Sequence, residues 1–232
     1  MKSQKGWVKK VNIEKDYLRA IGDFKNKLPA SFDYDGDRLL IKDFRNDIIG
    51  AIIADTIVKK GDIIVYDLRC SRVISEYFRN KGIKTIPSRV GHYNIKKLMR
   101  EKKAVFGMEI TGHYYFKDFH YCESPLYALK KLNEYMNKTG KSLAELARPF
   151  NKYFHSGIIN IKISNLKNQI SNLKEKYRNG VQNHLDGLTI EFSNWWFNLR
   201  PSHTEPILTL VIEAKTPQLL EQKRKEILGL VK

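Results

Sequence analysis

Three aspartates, Asp33, Asp35 and Asp37, stand at alternate positions in the stretch Phe32-Asp33-Tyr34-Asp35-Gly36-Asp37-Arg38. In extended backbone alternate side chains share a face, so the three carboxylates would crowd one another. A divalent cation between them relieves that repulsion. Mg2+ suits such a set, because it takes oxygen ligands and keeps several waters. Gly36 lets the backbone curve around an ion. A calcium EF-hand is excluded: counted from Asp33, the sixth residue is Arg38 rather than Gly and the twelfth is Phe44 rather than Glu.

Two further stretches carry chemistry. Gly107-Met108-Glu109-Ile110-Thr111-Gly112-His113 offers a carboxylate, a hydroxyl and an imidazole within five positions. Glu109 and Thr111 can bind the hydroxyls of a polyol while His113 supplies a proton or meets a phosphate. Arg200-Pro201-Ser202-His203-Thr204-Glu205-Pro206 brings a planar guanidinium together with hydroxyl donors, the makings of a phosphate clamp. Plainer accounts stay open for each: an acidic surface turn, a hydrogen-bonded surface histidine, a Pro-Ser turn. The acidic stretch also resembles the Asp-x-Asp-Gly opening of haloacid-dehalogenase-like phosphatases. That nucleophile follows a strongly apolar strand, and Lys27-Leu28-Pro29-Ala30-Ser31 makes a poor one.

The elements that must position these groups follow from periodicity and punctuation. Residues 1–28 read as a polar strand and a short helix. The nearly all-apolar run Ile48–Val58 predicts a buried helix, stopped at Lys59-Lys60-Gly61. Ile63–Tyr66, Ser71–Asn80 and Thr85-Ile86 predict a strand, helix and strand, a β-α-β unit whose strand ends are the usual place for a site. Residues 88–122, rich in Gly and His, read as loops forming a working surface. An amphipathic helix is expected over 124–136, and Ser142 with Glu145 makes a capping box. A domain change falls near Pro149–Phe154. Beyond it come a strand at 156–163, a helix at 165–178, strands at 188–192, 195–199 and 207–213, and a helix at 217–230. Thr216 would cap the last helix. The fold class expected is α/β plus α+β: an α/β/α domain followed by a small helix-on-antiparallel-sheet domain. The boundaries are 1–45, 46–152 and 153–232.

Composition bounds the partners. The 232 residues carry 42 Lys+Arg against 25 Asp+Glu, a net charge of +17 that attracts anions of any kind. The lysines are scattered among acids and no nucleic-acid-binding motif occurs, so nucleic acid is not the expected partner. No run of 18 apolar residues marks a membrane span, and no apolar signal follows Met1. Two cysteines, Cys70 and Cys122, form no disulfide framework. A cytoplasmic location is the expectation.

In this order, the motifs resemble the α-D-phosphohexomutase family. Asp33, Asp35 and Asp37 match its metal loop and Arg38 the arginine after it. Glu109, Thr111 and His113 match its sugar loop, and Arg200 to Pro206 its phosphate loop. Asp67-Leu68-Arg69-Cys70-Ser71 and Val90-Gly91-His92 are further landmarks. The resemblance implies interconversion of hexose 1-phosphate and 6-phosphate through a phosphoserine, supported by Mg2+. It makes Arg38 and His113 catalytic, and His92, Glu109, Thr111, Arg200, Ser202, His203 and Thr204 substrate-binding.

The sequence also departs from that family. No Ser/Thr-x-Ser-His-Asn-Pro loop occurs in it, and about 17 residues separate Tyr17 from the acidic loop, where the family has a second domain. Tyr34 replaces a glycine and is expected to crowd the metal loop. His203 replaces the usual Asn or Gly, and Glu123 and Pro125 occupy an Asp-x-Gly pattern. The expectation is therefore a truncated chain, inactive or very weak alone, that still holds hexose phosphate. The alternatives are a mutase half completed by a separate phosphoserine-bearing chain, and a basic scaffold or nucleic-acid module on the same fold.

Overall fold

Alternation of small and branched apolar residues builds helix α1 (Asn46–Ile57), in which every residue from Asp47 to Ala54 is buried. Gly50 is needed there: a Cβ would lie 2.6 Å from Met108 Sδ and 3.0 Å from Tyr114 Cε1, so the helix lies directly on the sheet. The computed structural model describes residues 28–162, 166–202 and 206–231. The strand and helix expected over 1–28 fall outside the described residues, as do His203 and Thr204. The described chain divides into two compact units, ending and beginning at Phe150 and Asn151.

In the first unit, β1 (Ala30–Phe32) and β2 (Leu39–Ile41) form an antiparallel hairpin whose connection carries the three aspartates. A five-stranded sheet follows, in the order β4-β3-β5-β6-β7. Strand β3 (Ile63–Asp67) pairs in parallel with β4 (Lys84–Ser88) and β5 (Phe106–Met108). Strands β6 (Tyr114–Phe116) and β7 (Cys122–Glu123) continue antiparallel. Helix α2 (Arg72–Asn80) links β3 to β4, and its N-cap Ser71 Oγ accepts the Val73 amide at 3.2 Å. Helix α3 (His92–Lys102) links β4 to β5.

Neighbouring residues of a strand face opposite ways. Met108 meets α1, whereas a Cβ on Gly107 would strike Met99 and Ile95 of α3. The sheet is therefore covered on both faces, as an α/β/α sandwich. Helix α4 (Pro125–Thr139) joins α1 and α2 where the Tyr77 and Tyr135 hydroxyls both donate to Asp55 Oδ2. Short α5 (Leu143–Ala147) carries the expected capping box: Ser142 Oγ accepts from Glu145 N, and Glu145 Oε2 accepts from Ser142 N at 2.8 Å.

Two expectations fail in instructive ways. Residues 88–122 are not a loop surface, since α3, β5, β6 and β7 all lie within them. Ile95, Leu98 and Met99, at i, i+3 and i+4, pack under the sheet with Val65 and Tyr115. In the second unit, the strand expected at 156–163 is shorter, β9 (Ile159–Lys162), and a further strand the sequence did not suggest, β8 (Phe154–His155), precedes it. Gly157 at φ 69° turns the chain out between them. The Ser156 hydroxyl replaces a ladder partner, accepting the Ile212 amide at 2.9 Å.

The rest of that unit is antiparallel. Strands β10 (Val181–Asn183), β11 (Leu188–Glu191), β12 (Trp195–Pro201) and β13 (Ile207–Ala214) pair in sequence, and β8 and β9 both pair with β13. Helices α6 (Leu166–Lys176) and α7 (Pro217–Val231) pack over a core that includes Leu173, Leu188, Phe197, Leu210 and Ile227. Thr216 caps α7, its Oγ1 accepting the Leu219 amide at 3.2 Å.

Candidate functional site

The carboxyl ends of β3 and β5 carry Asp67 and Met108-Glu109, the edge where doubly wound sheets bind ligands. Between β5 and β6 the chain makes a tight turn. Gly112 N donates to Glu109 O at 3.1 Å and Glu109 N to His113 O at 3.0 Å. Gly112 has φ 101°, and a Cβ there would lie 2.9 Å from Leu39 O. That glycine lets the turn dock on β2, where Leu39 N donates to Gly112 O at 3.1 Å. Asn46 Nδ2 pins the same turn from α1, donating to Ile110 O.

Docking brings the acidic loop to the turn. His113 Nε2 lies 3.1 Å from Asp37 Oδ2, and its Nδ1 lies 3.1 Å from Thr111 Oγ1. Arg38 Nε donates to the same Nε2 at 3.4 Å and sits 3.2 Å from Asp33 Oδ2. With a proton on Nε2 the ring donates to Asp37; without it the ring accepts from Arg38. Five of the expected residues, Asp33, Asp37, Arg38, Thr111 and His113, are thus one hydrogen-bonded group.

Glu109 stands behind them, 4% exposed. Burial, with the nearby Asp67 charge, pushes its carboxyl above the usual carboxylate range. The Tyr115 hydrogen bond, His113 and Arg69 pull it back. Tyr115 O–H donates to Glu109 Oε1 at 2.5 Å. Burial and the Glu109 charge push the Tyr115 hydroxyl far above the ordinary tyrosine range.

The acidic loop fits a hard cation. One oxygen from each of Asp33, Asp35 and Asp37 lies within 4.8 Å of the others. Asp37 Oδ1 is buried without a hydrogen-bond partner. Gly36 turns the loop at φ 74°. Tyr34 does not crowd it, contrary to the sequence expectation. Its side chain is 78% exposed and stands in solvent.

Sequence reasoning named Asp67-Leu68-Arg69-Cys70-Ser71 as a landmark but gave it no role and missed Asp47 and Arg45; together these residues make a buried frame. Arg69 Nη2 pairs with Asp67 Oδ2 at 2.6 Å, and Arg69 Nε reaches both oxygens at 3.0 Å. Burial opposes the Arg69 charge, but Asp67 outweighs it and holds the guanidinium pKa above its ordinary value. Asp47, wholly buried, accepts two bonds from Arg45 and one from Ser71 N at the start of α2. The signal for Asp47 was a charged residue opening an otherwise apolar helix. His92 lies exposed at the first position of α3, and no hydrogen bond or ion pair joins it to His113 or the aspartates.

In the second unit, Arg200 is 3% exposed. Its Nε donates to Asp186 Oδ1 at 3.1 Å, and its buried Nη2 has no hydrogen-bond partner among the described residues. Ser202 N donates to Ile207 O at 2.8 Å, closing the base of the loop that carries His203 and Thr204.

The first unit is thus an α/β/α sandwich that sets an acidic loop beside a Glu-x-Thr-Gly-His turn, and an antiparallel α+β unit follows it in the chain. Residues 45–153 match the phosphoglucomutase/phosphomannomutase alpha/beta/alpha domain III family. A phosphomannomutase of Methanocaldococcus jannaschii is 44% identical over 96% of this chain and 51% of its own length. One of Escherichia coli is 31% identical over 94% of this chain and 50% of its own. A solved phosphoglucomutase/phosphomannomutase family protein of Burkholderia thailandensis superposes with TM-score 0.73 at 24% identity. It covers 87% of this chain and 45% of that one. The chain belongs to the α-D-phosphohexomutase superfamily, and it spans about half the length of the curated relatives it matches. Among the described residues no helix is long and apolar enough to cross a membrane.

Proposed function

We propose that this chain holds a hexose phosphate beside Mg2+, as the metal-holding and sugar-reading part of a phosphohexomutase. The observation that carries the reading is His113, hydrogen-bonded to Thr111 in the sugar-type turn and to Asp37 in the acidic loop. Asp33, Asp35 and Asp37 would hold the cation, which when bound supplies charge neutralisation for a transferring phosphoryl group. Glu109 and Thr111 would accept and donate to sugar hydroxyls. His113 would hold or move a proton at Nε2, and Arg38 would stabilise negative charge. Within the second unit, Arg200, Ser202 and Thr204 would form a phosphate-gripping loop of their own, with Arg200 Nη2 as one donor.

The phosphoryl donor is a phosphoserine outside these 232 residues, whether on the same polypeptide or another, because no Ser-His-Asn-Pro loop occurs among them. Calorimetry of the 232-residue polypeptide with mannose 1-phosphate and glucose 1-phosphate in Mg2+ tests the reading. Millimolar or tighter binding is expected, lost in Glu109→Ala. No binding at millimolar ligand would overturn it. A kcat above about 1 s⁻¹ by this polypeptide alone, within the ordinary enzyme range, would overturn the placement of the donor.

A further inference from the structure

Tyr115 belongs to none of the motifs that suggested the site, yet its hydroxyl ends on the sugar-reading carboxylate. The residue lies at the centre of β6, wholly buried. Its ring faces away from those of Tyr114 and Phe116 and packs with Val65, Ile95, Met99 and Ala104. Packing alone would be served by phenylalanine, as at Phe116 next door. A buried phenol needs a partner for its O–H, and here that partner is Glu109 Oε1 at 2.5 Å.

The surroundings are built to keep the phenol there. Gly107, directly across the ladder, leaves the space: a Cβ would lie 3.3 Å from Tyr115 Cβ and 2.4 Å from Met99 Sδ. The Tyr115 ring stacks near His113, with centroids 6.2 Å apart and planes at 19°. Lys96 Nζ lies 5.6 Å from the ring centroid and pairs with Glu123 at 2.5 Å. His113 Nδ1 is 3.9 Å from the same Oε1 that Tyr115 holds. One oxygen of Glu109 is therefore claimed by the protein, and the carboxylate has a fixed rotation.

We propose that Tyr115 is a positioning residue for sugar recognition: its O–H holds Glu109 Oε1 and thereby presents Oε2 as the acceptor for a hexose hydroxyl. This rests on the proposed hexose-phosphate reading of the site. Without the phenol, Glu109 would rotate freely and would turn Oε1 toward His113, so hydroxyl recognition would weaken while attraction of the phosphate would not. The effect is on the sugar, not on the anion.

The test is calorimetric titration, in Mg2+, of the 232-residue wild type, Tyr115→Phe, Glu109→Ala and the double variant, with glucose 1-phosphate and with inorganic phosphate. Tyr115→Phe is expected to lose about tenfold in glucose 1-phosphate affinity, the scale of a charged hydrogen bond, and to bind inorganic phosphate as the wild type does. In the Glu109→Ala background the same change is expected to cost nothing, since the phenol then has nothing to hold. Tyr114→Phe removes an equally buried hydroxyl, which donates to Asn46 O at 2.8 Å, from the opposite face of the strand. It is expected to leave sugar affinity within about twofold while lowering the melting temperature, because a buried hydrogen bond is lost. Unchanged sugar affinity in Tyr115→Phe would overturn this inference and leave the hexose-phosphate reading standing. So would equal losses for both ligands, or an equal loss in the Glu109→Ala background, either of which marks a purely structural phenol. Wild type that binds neither sugar phosphate would overturn the hexose-phosphate reading and this inference with it.

Discussion

Acidic groups in the two units meet opposite surroundings. In the first, Asp33, Asp35 and Asp37 gather their oxygens within 4.8 Å, and among the described residues Arg38 lies 3.2 Å from Asp33 and 3.9 Å from Asp37. In the second, Glu226 alone has Lys223 at 2.8 Å and Lys176 at 3.0 Å. Burial opposes its ionisation, but the two lysines prevail and hold its pKa down at about 2. A carboxylate with more cations than it needs contributes to folding. The three aspartates instead converge on one another, beside a Glu109 whose pKa burial pushes up. The difference is between an acidic group paired within its own unit and carboxylates gathered at one loop.

The buried Arg–Asp pairs give the largest expected effect. Arg69 reaches both oxygens of Asp67, whereas Arg200 bonds Asp186 through Nε and leaves Nη2 without a hydrogen-bond partner among the described residues. Removing one member of a buried pair costs about 3–5 kcal/mol, because the other charge is stranded. In urea unfolding, Arg69→Ala should lie at the upper end of that range and Arg200→Ala below it. Equal losses would mean that the spare Arg200 nitrogen is no weakness in its pairing.

Metal affinity comes next. Asp35→Ala should lower Mg2+ affinity more than about tenfold, equivalent to about 1.4 kcal/mol. Tyr34→Gly should leave it within about twofold, since the ring stands in solvent. A marked gain from Tyr34→Gly would restore the view that the tyrosine crowds the loop.

Glu109 and Glu226 should respond to pH with opposite signs. The folded pKa of Glu109 lies above its unfolded value of 4.5, so the folded state binds more protons in between, and stability falls as pH rises through that interval. Glu109→Gln should therefore raise the melting temperature at pH 7, an advantage that disappears below about pH 4.5, while weakening sugar binding. Glu226 is depressed, so its contribution is full above its unfolded value of 4.5 and is lost as pH falls toward about 2. Glu226→Gln should flatten acid unfolding of the second unit in that window, by about 0.2–1 kcal/mol, because the pairs are partly exposed and screened by solvent. A Glu109→Gln variant less stable at neutral pH would contradict the distinction between the two regions.

Local signals were legible in the sequence. The apolar run of α1, the β3-α2-β4 unit, the Ser142–Glu145 box and the Thr216 cap all announce themselves within a few residues. Helix α3 did not, because Gly91, His92 and Asn94 look like punctuation and mask the Ile95-Leu98-Met99 stripe. Strands β5 and β6 are three residues each, too short for alternation to register. In the site, residues adjacent in sequence were found from their types. The contact of His113 with Asp37, 76 positions apart, depends on how the turn docks on β2, and that of Ser71 with Asp47, 24 apart, on how α1 lies against the start of α2. Tyr115 was missed because a buried aromatic in a strand looks like core, which it also is.

The most direct test is an amide-shift titration of the isotopically labelled 232-residue polypeptide with glucose 1-phosphate, run with and without Mg2+. The account predicts shifts at Gly36, Arg38, Thr111, Gly112 and His113 that move together and saturate at lower sugar phosphate when Mg2+ is present. Shifts that leave these five amides unmoved, or a titration indifferent to Mg2+, would contradict it.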